Sequence, residues 1–119
     1  MKKKYIYDAV VVSVYDGDTV TLDIDLGLGS WLHKQKFRIH GIDAPEIRGE
    51  EREEGLIARD WVRSWLPKGE KIVVRTRKDK KGKYGRWVAE IFVYDIPGDK
   101  WVSLASMMVA EGLAETKEY

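Results

Sequence analysis

Three short stretches hold the residues best suited to chemistry: Asp16-Gly17-Asp18-Thr19; Arg38 followed by Gly41-Ile42-Asp43-Ala44-Pro45-Glu46; and Lys83-Tyr84-Gly85-Arg86. The chain has no cysteine, which excludes disulfides, thiolate catalysis and Cys-ligated zinc together. Asp18, Asp43 and Glu46 come from separate segments and offer only oxygen, a donor set suited to a hard cation. Such acids also serve as ordinary hairpin and turn residues, so both readings stand at this point. His40 is a conceivable metal ligand, although a lone strand histidine more often sits at the surface or in packing.

The formal charge is only +1, from 21 basic and 20 acidic side chains, so no strong global field draws the chain to an anionic polymer. Its distribution is uneven. Residues 46–60 carry six acids and three bases, whereas Arg75 to Arg86 carries seven bases and one acid. That strip could meet a phosphate-bearing partner, or it could be a solvated hairpin tip. No apolar run approaches the roughly 18 residues of a membrane span. Met1-Lys2-Lys3-Lys4 resembles the start of a signal peptide, but Asp8, Ser13 and Asp16 interrupt the apolar stretch that such a peptide needs next. The compartment is therefore left open between cytoplasm and secretion after loss of a leader, and a monomer is expected.

The positioning elements follow from periodicity. From Asp18 to Leu26, Val20, Leu22, Ile24 and Leu26 alternate with Thr19, Thr21, Asp23 and Asp25, the pattern of a half-buried strand. Asp18 shares parity with the apolar set, so it points inward, where an uncompensated carboxylate is costly. A strand over 7–15 precedes it, and Asp16-Gly17 signals a hairpin turn because glycine accepts positive φ. Residues 27–30 read as a loop, with Trp31 and Leu32 folded back onto the surface and a third strand over 36–42. In that strand Phe37 and Ile39 share one face and Arg38 and His40 the other.

Ile57, Trp61 and Trp65, with Ala58, Val62 and Leu66 alongside, mark an amphipathic helix over about 50–66, stopped by Pro67 and Gly69. Strands over 71–77 and 86–94 follow, then a short helix over 103–111 with Ser103 as N-cap and Gly112 at its end. Three strands, a helix, two strands and a helix predict one α+β domain over 1–119. Its fold class is the partly open five-stranded β-barrel called the OB-fold, with a helix between strands three and four.

The three stretches, in this order and rough spacing, resemble the staphylococcal nuclease (thermonuclease) family over about Val10 to Ala114. The resemblance implies calcium-dependent hydrolysis of DNA and RNA. It implies Asp18 and Asp43 as Ca²⁺ ligands, the Ala44 backbone carbonyl as a third, and Asp16 as a supporting acid. Glu46 resembles the general base or water-positioning group, Arg38 and Arg86 the phosphate-binding pair, and Lys83 and Tyr84 substrate contacts. The residue types suit that chemistry, since a cation and two fork-shaped guanidiniums stabilise charge building on phosphoryl oxygens. A base at Glu46 would supply about 10² to 10⁴-fold.

Three features depart from the family pattern: Glu118 stands about where an aromatic is expected, the loop after strand two is longer, and the segment from Glu46 to Gly55 is shorter. The implied function is a nuclease with little base preference that leaves 3′-phosphate ends. The principal alternative is a non-catalytic OB-fold module that binds nucleic acid or protein; an enzyme acting on a small phosphate ester is a third. If the four acids crowd one site, Asp18→Asn should stabilise the metal-free fold by relieving repulsion.

Overall fold

The computed structural model describes residues 5–81 and 85–117, with 78–81 given as backbone alone. Strands β1 (Ile6–Asp16) and β2 (Thr19–Gly27) form the expected antiparallel hairpin. Asp16 pairs with Thr19, so the turn residues are Gly17 and Asp18, one position later than the sequence suggested. Gly17 is not in the left-handed region. Its requirement is space: a Cβ there would lie 2.8 Å from the Ala44 Cβ and 3.1 Å from the Ala58 Cβ.

Strand β3 begins at Ser30 and runs to Ile39, so the expected loop over 27–30 and the surface fold-back of Trp31 and Leu32 are replaced by a long second hairpin. Leu28 and Gly29 form its tip with φ of 56° and 77°, the sign that a type I′ hairpin turn requires at both central positions. The alternation was hidden by an irregularity: the register shifts between Leu22 and Ile24, and Lys34 adopts φ 53° opposite it. Asp23 stabilises that kink by accepting the Lys34 N–H at 2.8 Å. A bulge of this kind moves one strand's side chains out of the two-residue period.

Strands β4 (Ile42–Asp43), β5 (Lys71–Lys81), β6 (Trp87–Asp95), β7 (Lys100–Ser103) and β8 (Glu115–Thr116) complete the sheets. The barrel runs β3-β2-β1-β5-β6 and closes where β3 meets β6 in parallel, with Phe37 opposite Trp87 and Ile39 opposite Ala89. This is a closed five-stranded barrel of the expected α+β class. Strand β7 extends the sheet from β6, and β4 pairs with β8; neither pairing was anticipated, because two to four residues are too few to show a period.

Helix α1 (Arg52–Trp65), entered through a 3-10 turn at Gly49–Glu51, buries Gly55, Ala58 and Val62. Helix α2 (Leu104–Ala110) buries Leu104 and Met108; the Ser103 side chain accepts the Ser106 N–H at 3.2 Å, the predicted N-cap. Gly112 follows it at φ 74°, as a helix-ending glycine should. Val20, Leu22, Phe37, Ile39, Val74 and Ile91 fill the barrel and are 2% exposed or less. Each contributes about 1.5 to 3 kcal/mol by leaving water, which makes the barrel wall a rigid base for the side chains on its outer face. Among the described residues no helix is long and apolar enough to cross a membrane.

Candidate active site

The outer face of β2 and β3, the β1–β2 turn, the stretch after β4 and one side of α1 enclose an open groove of about 870 Å³. Asp16, Asp18, Arg38, Asp43, Glu46 and Arg86 all line it. These residues are up to 70 positions apart in the chain and meet because the barrel closes β3 against β6.

The β1–β2 turn is built by its own acids. Asp16 Oδ1 accepts the Asp18 N–H at 3.1 Å, a local bond that aspartate favours in turns. Asp18, only 8% exposed, is compensated from three sides. Its carboxylate accepts the Ala44 N–H at 3.1 Å and the Thr19 hydroxyl at 3.2 Å, and it pairs with Arg38 at 3.1 Å. The Ala44 bond stitches the turn to the residue after β4, which explains why Gly17 has no room for a side chain.

Arg38 lies on the polar face of β3, back to back with Phe37 and Ile39 in the core. Its other terminal nitrogen donates to Asp43 Oδ1 and to the Ile42 carbonyl, both at 3.2 Å. The guanidinium thus bridges Asp18 and Asp43 and is locked in place. Arg86, just before β6, donates to the Thr19 hydroxyl at 3.0 Å, so the same threonine touches Asp18 and the second arginine. Glu46 lies on the groove wall, and its backbone is pressed against α1: a Cβ on Gly55 would come 2.0 Å from the Glu46 carbonyl oxygen. The short stretch from Glu46 to Gly55 therefore packs the helix directly onto the Glu46 backbone.

Asp16 reports the electrostatic condition of the groove. Burial, then the neighbouring Asp18 charge, push its carboxyl from 3.8 up to about 6, and Glu46 adds to the effect. Asp16 also feels the charges of Asp18 and Glu46, and a cation among these carboxylates would relieve that repulsion.

Ala44 itself is buried beside the groove, with its N–H already bonded to Asp18. His40 stands apart, near Arg77, Glu90 and Arg75, and burial holds its imidazole below the ordinary value. Lys83 and Tyr84 lie outside the described residues. Four basic residues that the sequence did not single out also line the groove: Lys36, Arg59, Arg63 and Lys117. Arg59 and Arg63 are four apart on α1, so helical spacing alone would have placed them on one face. Arg63 is anchored by donating to the Val14 carbonyl at 2.9 Å, and Arg59 pairs with Asp60.

The donors available for a metal are all hard oxygens, which fits an alkaline-earth ion better than zinc or copper. Among the described residues no three carboxylates or imidazoles are already gathered as a cage. Arg38 bridges the two aspartates instead.

Residues 36–119 match the family model described as staphylococcal nuclease homologue. The chain belongs to that family. Among curated proteins it is similar to the Endonuclease YhcR of Bacillus subtilis (strain 168), 29% identical over 93 residues. That match spans 71% of this chain and 7% of the relative, so the chain corresponds to a small part of a much longer protein. The family match begins at Lys36 and includes Arg38, Asp43, Glu46 and Arg86. Asp16 and Asp18 precede it, and the β1–β2 hairpin brings them to the same groove.

Proposed function

We propose that this chain is a Ca²⁺-dependent nuclease that hydrolyses phosphodiester bonds of DNA and RNA internally, with little base preference, leaving 3′-phosphate ends. The observation that carries this is one groove in which two guanidiniums, Arg38 and Arg86, stand among Asp18, Asp43 and Glu46. A barrel that merely bound nucleic acid would gain nothing from a carboxylate wall, which repels phosphate.

Asp18, Asp43 and the Ala44 carbonyl would hold the cation, with Asp16 in support. When bound, it supplies Lewis-acid polarisation of a phosphoryl oxygen and neutralises developing charge. Arg38 and Arg86 present forked donors to the non-bridging oxygens, bonds that strengthen as the transition state gathers charge. Arg86 is held by Thr19 before substrate arrives, whereas Arg38 must release part of its bridge between Asp18 and Asp43 as those carboxylates turn to the cation and its guanidinium to the phosphate. Glu46 takes the proton of the attacking water as its oxygen bonds to phosphorus. The P–O bond on the 5′ side then breaks, and the departing oxygen collects a proton from solvent. No contact in this scheme reads a base edge, which accounts for the lack of base preference.

The test is incubation with supercoiled plasmid, single-stranded DNA and RNA, each with Ca²⁺, Mg²⁺ or chelator, followed by end-group analysis. Cleavage with Ca²⁺ and 3′-phosphate products are expected. No cleavage in any lane would leave a binding module as the better reading, and 5′-phosphate products would overturn the assigned bond.

A further inference from the structure

The outer half of the β2–β3 hairpin takes no part in the chemistry above. Residues opposite one another in an antiparallel pair share a face. Thr19 opposite Arg38 and Thr21 opposite Lys36 line the groove, and the same face continues outward to Asp25 opposite Trp31. At this outer end the Trp31 and His33 rings stack nearly parallel, 6° apart with centroids at 6.1 Å. Trp31 is 39% exposed and forms no part of the core, and the His33 side chain is 66% exposed. The two rings are an aromatic surface built on a strand, facing water, in line with the groove.

The surroundings hold that surface in position. His33 Nδ1 lies 3.3 Å from Asp23 Oδ1, the same oxygen that accepts the Lys34 N–H. Asp25 accepts the Gly27 N–H at 2.8 Å. Both acids on this face are thus engaged in shaping the hairpin. At the hairpin base, Gln35 Oε1 accepts the Trp87 indole N–H at 3.0 Å and ties β3 to β6. A ring held in place before binding loses little freedom when a ligand stacks on it.

We propose that Trp31, backed by His33, is a stacking platform for a base of single-stranded nucleic acid whose scissile phosphate lies at Arg38 and Arg86. The proposal rests on the nuclease reading and deepens it by adding a base-stacking subsite on the β2–β3 hairpin, outside the groove. Only an unpaired base frees a π-face for stacking, and stacking is indifferent to which base is present. Barrels of this class use the face of strands two and three for oligonucleotides. Trp31 lies seven residues from Arg38, roughly 20 Å at the usual strand rise. A strand crossing that distance covers no more than roughly six nucleotides at the 3.4 Å rise of stacked bases.

The test is fluorescence anisotropy in chelator with labelled oligo-dT of 3 and 12 nucleotides and a 12-base-pair duplex. The proteins are the wild-type chain, Trp31→Ala, Trp31→Phe and His33→Ala. Trp31→Ala should weaken 12-mer binding by about 5- to 100-fold, the scale of one lost base stack. Trp31→Phe should keep most of the affinity, His33→Ala should lose part of it, and duplex binding should change less than twofold. Equal 12-mer affinity for wild type and Trp31→Ala would overturn the platform alone. If the wild type cleaves nucleic acid with Ca²⁺ yet binds neither oligonucleotide here, the platform falls and the nuclease reading stands; no cleavage in any Ca²⁺ lane would overturn the nuclease reading itself.

Discussion

Replacing Asp16 by Asn should stabilise the cation-free fold, and the structure shows why Asp16 is the right acid to neutralise. Asp18, which the sequence pointed to, is already compensated by Arg38, the Ala44 N–H and the Thr19 hydroxyl. Asp18→Asn therefore removes a partner from a largely buried guanidinium and should cost stability. Asp16 accepts the Asp18 N–H, but burial and the charges of Asp18 and Glu46 outweigh that bond and raise its carboxyl from 3.8 to about 6. An asparagine Oδ1 still accepts the Asp18 N–H that shapes the turn, so the substitution removes charge and keeps geometry.

At about 1.36 kcal/mol per pH unit, the interval from 3.8 to about 6 sets a ceiling of about 3 kcal/mol on the penalty. The groove mouth is open to water, which screens the repulsion, so about 1 to 2 kcal/mol is expected. The sign follows from proton binding. Because the folded carboxyl holds its proton to higher pH than the unfolded one, this group lowers wild-type stability as pH rises from about 4 to about 6. Above that window the penalty is complete. Urea melts in chelator at pH 4, 6 and 8 should show Asp16→Asn more stable at pH 8, with the difference vanishing near pH 4. Saturating Ca²⁺ should shrink or reverse it, since ligand binding stabilises the wild type by mass action. A variant no more stable than wild type at pH 8 in chelator would refute the reasoning.

Glu46→Gln should keep the fold while lowering kcat by about 10² to 10⁴-fold, and a loss under threefold would remove Glu46 as the base. Gly55→Ala places a Cβ 2.0 Å from the Glu46 carbonyl and should destabilise by at least about 1 to 3 kcal/mol in a urea melt, with activity falling as Glu46 is displaced. Joint replacement of Lys78, Lys80 and Lys81 by Gln should lower kcat/KM on long DNA and flatten its dependence on salt; unchanged rates and slope would end any steering role for the basic strip.

The sequence by itself determined the barrel and the inventory of the groove. Clean alternation in β2, apolar residues at helical spacing in α1 and the cap residues of α2 are local signals, so they are readable without knowing what packs where. The β2–β3 hairpin escaped because its period breaks at Lys34, where a positive φ shifts the register and makes a strand look like a loop. The short β4–β8 pairing escaped because it joins residues more than 70 positions apart, with no local pattern in either. The types and order of Asp16, Asp18, Arg38, Asp43, Glu46 and Arg86 were equally visible in the chain. Their pairing was not. That Arg38 bridges Asp18 and Asp43, that Gly17 is small for packing and not for φ, and that burial raises the Asp16 carboxyl all depend on what the folded barrel packs together. Charge and space at a site are summed over every neighbour in three dimensions, and most of those neighbours are distant in sequence.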